Sequence, residues 1–186
     1  MPQKILLINS SLRQGSFNQA SLDYIGQGLR KAGLQVEQLD YSQVPFFNQD
    51  TEFPAPDSVR AMREQVSQAA ALWIASPKYN GSIPGHLKVA LDWLSRPIEQ
   101  GQTGAPDLIK DKLVALTGTA GPHGATEVLQ ELTKLLKRMK LRVLEGNQPS
   151  LVIPAEAWTT GVMVLDDQQK ADLDQQMTAF LAALEN

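Results

Sequence analysis

Three loops carry residue types from which a ligand site could be built. The first reads Asn9-Ser10-Ser11-Leu12-Arg13-Gln14-Gly15-Ser16-Phe17-Asn18 and leads into a helical pattern. Hydroxyls, an arginine and a glycine ahead of a helix N-terminus are the parts of a phosphate cradle. Arg13 can fork onto a phosphate, and Ser11, Ser16 and Asn18 can donate hydrogen bonds to it. The same stretch could instead be a polar turn in which Ser16 or Asn18 caps the helix. No Walker lysine follows, which removes the nucleoside-triphosphate version.

The second loop is Ser76-Pro77-Lys78-Tyr79-Asn80-Gly81-Ser82-Ile83-Pro84-Gly85. Two prolines stiffen it, and Gly81 permits close backbone approach to a ligand. Tyr79 offers a flat face and Asn80 an amide, a set suited to a planar heteroaromatic ligand. The plainer alternative is a rigid connection with an exposed tyrosine. The third loop is Thr117-Gly118-Thr119-Ala120-Gly121-Pro122-His123-Gly124. Its glycine spacing is not G-x-G-x-x-G, and it follows the fourth strand instead of the first, so it is no dinucleotide fingerprint. Small residues there let a flat ligand lie against backbone. His123 reads as an exposed loop residue before it reads as a catalyst.

The elements that must position these loops alternate in type. Ile5-Leu6-Leu7-Ile8 and Ala70 to Ala75 are short apolar runs, as in strands buried on both faces. Leu22, Ile25 and Leu29 recur at helical spacing before Gly33, and Leu34, Val36 and Leu39 alternate as a second strand. Tyr41 to Asp57 has three prolines and no period, so it reads as a long loop. Helices are expected from Asp57 or Ser58, one of them the cap, to about Ala69, then over about Gly85–Ser95, Ala125–Lys140 and Asp167–Leu184. Leu113 to Leu116 is the fourth strand, and either Leu141–Leu144 or Leu151–Ile153 the fifth. Arg96–Asp111 and Asn147–Asp166 read as insert-sized loops. Strands alternating with helices imply an α/β fold with a parallel sheet and helices on both faces. Five strands suggest the flavodoxin-like order 2-1-3-4-5, in which ligands sit beyond the carboxyl ends of strands 1, 3 and 4. The three loops are then neighbours.

Length and charge bound the rest. At 186 residues the chain is expected to form one domain over 1–186 and to need no disulfide or metal to hold it together. A net charge of −3 argues against a general nucleic-acid binder. The absence of cysteine removes thiol nucleophiles and cysteine metal sites, and it fits a reducing compartment. The apolar run at Ile5–Ile8 is too short for a signal or membrane segment, so a cytoplasmic protein is expected. No nucleophile elbow or carboxylate pair stands out. The basic run Lys134, Lys137, Arg138, Lys140 and Arg142 reads as cations at a helix C-terminus, and Lys88 with Asp92 as an i,i+4 ion pair. Trp158, Phe46 and Phe47 are loop aromatics that could line a pocket or a subunit contact.

The stretch from Ser76 to Arg96 resembles the NAD(P)H-dependent FMN reductase family of flavodoxin-like quinone, chromate and azo-dye reductases. It reads S-P-K-Y-N-G-S-I-P-G-H-L-K-V-A-L-D-W-L-S-R, close to the family's S-P-E-Y-N-G-S-I-P-G-x-L-K-N-A-L-D-W-L-S-R. Ser11 to Asn18 is similar to its G-S-L-R-x-x-S-x-N loop, and Pro45 to Asp50 to its P-x-y-n-x-D loop. The resemblance implies FMN phosphate on Ser11, Arg13, Ser16, Phe17 and Asn18. It implies ring contacts from Pro77, Lys78, Tyr79, Asn80, Gly81 and Ser82, and a further wall from Thr117, Gly118, Thr119, Ala120 and Gly121. It also implies electron transfer from NADPH or NADH through FMN to quinones, azo compounds, metal oxyanions or free flavin. A homodimer or homotetramer with flavin near the interface is implied as well.

The cofactor would carry the chemistry, so no side chain is nominated as catalytic. A flavodoxin-type electron carrier and a non-catalytic module on the same fold are the alternatives. The chain departs from the family pattern in three places. Lys78 replaces the usual Glu, Asn9-Ser10 precede Ser11 where a glycine is common, and Leu132-Thr133-Lys134 stand where a Leu-Arg pair is frequent. Lys78 could face the mouth of the site or a neighbouring subunit.

Overall fold

Doubly buried strands require helices on both faces of one sheet, and the computed structural model has that arrangement. It describes residues 2–185, so Met1 and Asn186 of the expected domain lie outside the described residues. In chain order come β1 (Lys4–Asn9), α1 (Phe17–Lys31), β2 (Gln35–Gln38), α2 (Asp57–Gln68), β3 (Ala71–Ser76) and α3 (Gly85–Leu94). They are followed by β4 (Leu113–Ala120), α4 (Thr126–Arg138), β5 (Arg142–Val143), β6 (Ser150–Val152), α5 (Ala155–Thr160) and α6 (Asp167–Leu184). The strand order is β2-β1-β3-β4-β5, all parallel, the flavodoxin-like order.

Alternation along each strand divides the core in two. Leu6, Ile8, Leu72, Ile74, Val114 and Leu116 pack with α2, α3 and α4. Ile5, Leu7, Trp73, Ala75 and Ala115 pack on the other face with α1 and α6. The register places Asn9 beside Ala75 and Ser76 beside Gly118, so the ends of β1, β3 and β4 lie side by side.

Four expectations change. β4 runs on to Ala120 instead of stopping at Leu116, because β3 pairs with it as far as Gly118 and β6 takes up Gly118 to Ala120. The two candidates for a fifth strand both form: β5 pairs with the start of β4 and β6 with its end. The stretch 147–166 is no plain loop, since it contains β6 and α5. Finally, Pro56 holds the N-cap position of α2 without a side-chain cap bond, and Asp57 pairs with Arg60 inside the first turn. The expected Lys88–Asp92 pair is present at 2.7 Å, and Lys137 and Arg138 sit in the last turn of α4.

Candidate functional site

The loop after β1 is organised by Asn9. Its Oδ1 accepts the Ser11 backbone N–H at 3.0 Å and the Ser16 hydroxyl at 3.4 Å, and its amide donates to Gln19 at 2.9 Å. The Asn9 carbonyl accepts the Tyr41 hydroxyl at 2.8 Å. Burial raises the Tyr41 pKa, which keeps the phenol protonated and donating. The ring of Tyr41 stacks on His86, whose Nε2 donates to the Tyr41 carbonyl at 2.9 Å. Asn9, one of the departures from the family pattern, thus shapes the loop from inside; its polar side chain at a strand end was the available signal.

The capping alternative for this loop fails. Ser16 is the N-cap of α1, yet its hydroxyl turns to Asn9 and no side chain caps the helix. Asn18 lies within the helix, buried, and its Oδ1 has no hydrogen-bond partner among the described residues.

The loop after β3 is a tight turn. Asn80 and Gly81 both have positive φ, 52° and 81°, and Tyr79 and Ser82 exchange backbone hydrogen bonds at 3.0 and 3.3 Å. Asn-Gly is the pair that tolerates this geometry at both central positions. Two carboxylates one turn apart on α4 hold the turn. Lys78 Nζ meets Glu127 at 3.2 Å, and the Ser82 hydroxyl donates to Glu131 at 3.0 and 3.1 Å. Tyr79 and Ser11 hydroxyls lie 3.1 Å apart, tying this turn to the first loop.

Between these loops and the end of β4 lies a cavity of about 250 Å³. It is lined by Ser11, Arg13, Ser16, Phe17 and Asn18, by Pro77, Lys78 and Tyr79, and by Thr119, Ala120 and Gly121. Ile153 and Trp158 complete the wall; the sequence signals Trp158 as an aromatic outside the long helices and carries no such signal for Ile153. Asn80, Gly81 and Ser82 form the turn beyond the lining. Thr117 and Gly118 lie inside the sheet. The Thr117 hydroxyl bonds Trp73 and Gln176, and a Cβ on Gly118 would stand 2.4 Å from the Ala125 Cβ, so Gly118 is there for helix packing. His123 is exposed.

Aromatic contacts tie α5 to the first loop. The Arg13 guanidinium lies 4.4 Å from the Phe17 ring centre, and Phe17 meets Trp158 edge-on at 5.3 Å. Arg13 also donates to the Gly15 carbonyl. Asn18 and Thr119 are lining residues, and their buried Oδ1 and Oγ1 have no hydrogen-bond partner among the described residues. Leaving such atoms unpaired costs about 1–3 kcal/mol each, so the wall suits a ligand that brings its own hydrogen-bonding groups. Phosphate donors, a rigid flat wall and orphaned polar atoms fit a flavin mononucleotide. A larger cavity of about 470 Å³ lies on the other side of the first loop, against Gln38, Asp40 and Tyr41. It draws nothing from the ends of β3 or β4, and in this topology ligands sit where those strand ends meet β1. Among the described residues, no three His, Asp or Glu gather as metal ligands.

The family model described as NADPH-dependent FMN reductase matches residues 3–154, and so ends before α5 and Trp158. The chain is 36% identical to an NAD(P)H-dependent FMN reductase of Pseudomonas aeruginosa over 180 residues, 95% of this chain and 92% of the relative. It is 32% identical to a quinone reductase of Escherichia coli over 188 residues, covering 95% and 93%. Among solved structures, the flavoenzyme NAD(P)H:(acceptor) oxidoreductase FerB from Paracoccus denitrificans is similar with a TM-score of 0.82 at 28% identity, over 98% of this chain and 97% of that one. An archaeal flavodoxin, 12% identical with a TM-score of 0.63 over 99% and 100% of the two chains, shares the fold.

Proposed function

Because this chain belongs to the NADPH-dependent FMN reductase family, we propose that the 250 Å³ cavity holds its FMN and that quinones are its main electron acceptors. The protein is an NAD(P)H-dependent flavin oxidoreductase. When bound, FMN supplies the chemistry that joins nicotinamide oxidation to acceptor reduction. The observation that carries the site is the convergence of the three β–α loops on one cavity with Asn18 Oδ1 and Thr119 Oγ1 left without hydrogen-bond partners among the described residues.

The protein's own part is binding and orientation. Arg13, Ser11 and the start of α1 would hold the phosphate by charge and by donated hydrogen bonds, and Ser16 would join them by releasing its hydroxyl from Asn9. Pro77, Tyr79 and the Asn80-Gly81 turn would set the plane of the ring, with Thr119 to Gly121 and Ile153 behind it. Trp158 would cover the open side and exclude water. The acceptor class rests on the quinone reductases among the relatives. Residues 1–186 would form one FMN-binding domain, since both cores are built on one sheet.

Titration of apo-protein with three flavins tests the site. FMN should bind tightest, with riboflavin weaker because it lacks the phosphate and FAD weaker because the loop is sized for a terminal one. Equal affinity for riboflavin would remove the phosphate assignment. Oxidation of NADPH or NADH by the loaded protein, with a quinone as acceptor, then separates a reductase from a passive carrier.

A homodimer or homotetramer is also part of the proposal. Phe46 is 87% exposed and Trp158 60%, and surface aromatics of this size are enriched where subunits meet. Light scattering of flavin-loaded protein at micromolar concentration should report twice or four times the chain mass, and a monomer would reject it. Among the described residues no helix is long and apolar enough to cross a membrane. A cytoplasmic location is proposed because the reduced nicotinamide it consumes is available there.

A further inference from the structure

Lys78 sits on the cavity wall with its side chain 16% exposed, and its ammonium points outward to Glu127, 3.2 Å away. Glu127 is 69% exposed, in the first turn of α4. No carboxylate is among the residues lining the cavity, where Arg13 and Lys78 are the cations. Arg13 lies over Phe17 at the first loop, which leaves Lys78 as the cation of the second. An ion pair with so solvated a partner contributes little to stability. A negatively charged group entering the mouth can therefore take the ammonium from Glu127 at little cost. The turn stays anchored meanwhile, because Ser82 is held separately by Glu131.

We propose that Lys78 recognises an anionic group on the substrate that enters the cavity mouth, and that Glu127 is the built-in competitor holding the ammonium until that substrate arrives. The ligand class is a planar oxidant or nicotinamide bearing a carboxylate, sulfonate or phosphate. This rests on the flavin assignment above and deepens it: the reductase would favour anionic over neutral substrates of equal size.

The two partners are predicted to act in opposite directions. For flavin-loaded protein, the specificity ratio is kcat/KM for a sulfonated quinone over that for its neutral parent. Lys78→Gln should lower it, and Glu127→Gln should raise it, each by about two- to fivefold. The wild-type ratio should shrink as ionic strength rises from about 0.01 to 1 M, where the screening length falls from about 30 to 3 Å. Repeating the series with NADPH and NADH at a fixed neutral acceptor tells whether the anion belongs to the acceptor or to the nicotinamide. The Kd of a redox-inactive arylsulfonate, read from the flavin absorption spectrum, should follow the same order without turnover.

If the pair only braces the turn, both substitutions move the ratio and the arylsulfonate Kd the same way, and the proposal is overturned. A ratio that neither substitution changes also overturns it. FMN titration of each apo-protein keeps the two readings apart. Failure of the wild type to bind FMN removes the flavin assignment and this proposal with it, whereas normal FMN binding with same-direction effects removes this proposal alone.

Discussion

Arg13→Ala should weaken FMN binding by about ten- to hundredfold and leave the apo-protein as stable as before. A charge-assisted hydrogen bond is worth about 1.5–3 kcal/mol, which corresponds to that range. Arg13 is exposed, and among the described residues it reaches only carbonyls of its own loop and the face of Phe17. Truncation therefore removes little that the fold depends on. Flavin fluorescence titration gives the affinity and thermal melting of the apo form gives the stability. Wild-type affinity in the variant would mean that the loop binds no phosphate through this arginine. An equal loss for riboflavin would mean that Arg13 acts by shaping the loop.

Thr117→Val should have the opposite profile, costing about 2–6 kcal/mol of stability while FMN affinity stays within about twofold. Thr117 is fully buried. Its Oγ1 accepts the Trp73 indole N–H at 2.9 Å and donates to Gln176 Oε1 at 2.9 Å, while Gln176 Nε2 donates to the Leu116 carbonyl at 2.8 Å. Valine keeps the shape but leaves two buried groups without a partner, at about 1–3 kcal/mol each. Trp73 also packs on Phe180, so the network ties β3 and β4 to α6. Urea denaturation of the apo-protein measures the loss. A stable variant with much weaker FMN binding would put Thr117 back on the cavity wall.

Thr117 also shows where local reading stops. Leu113 to Leu116 declares itself as a strand because four apolar residues in a row need burial on both faces. Thr117 to Ala120 has small and hydroxyl-bearing residues that look like a turn. It is strand because β3 and β6 supply hydrogen-bonding edges from residues far away in the chain. The short elements are less legible for a related reason: the stretches holding β5 and β6 read as alternatives for one strand, and α5 lies within a stretch that reads as loop. β5 has two residues and β6 three, too few to show a period, and α5 has six, less than two turns.

Local chemistry encodes the features that could be read along the chain. Apolar runs and helical spacing set the alternation of strands and helices, and Asn80-Gly81 set the turn. The arginine and hydroxyls of residues 9–18 marked the phosphate loop, and the stretch from Ser76 to Arg96 carried the family resemblance. Which side chains meet depends on the packed layers. Trp158 reaches Phe17 across 141 positions, and Lys78 finds Glu127 across 49. Asn9 turns inward to hold Ser11 and Ser16, and Thr117 turns away from the cavity to Trp73. Backbone propensity acts over a few residues and leaves a trace in local pattern. A contact between distant side chains depends on how the layers pack, and the same residue types would read identically whether or not they touched.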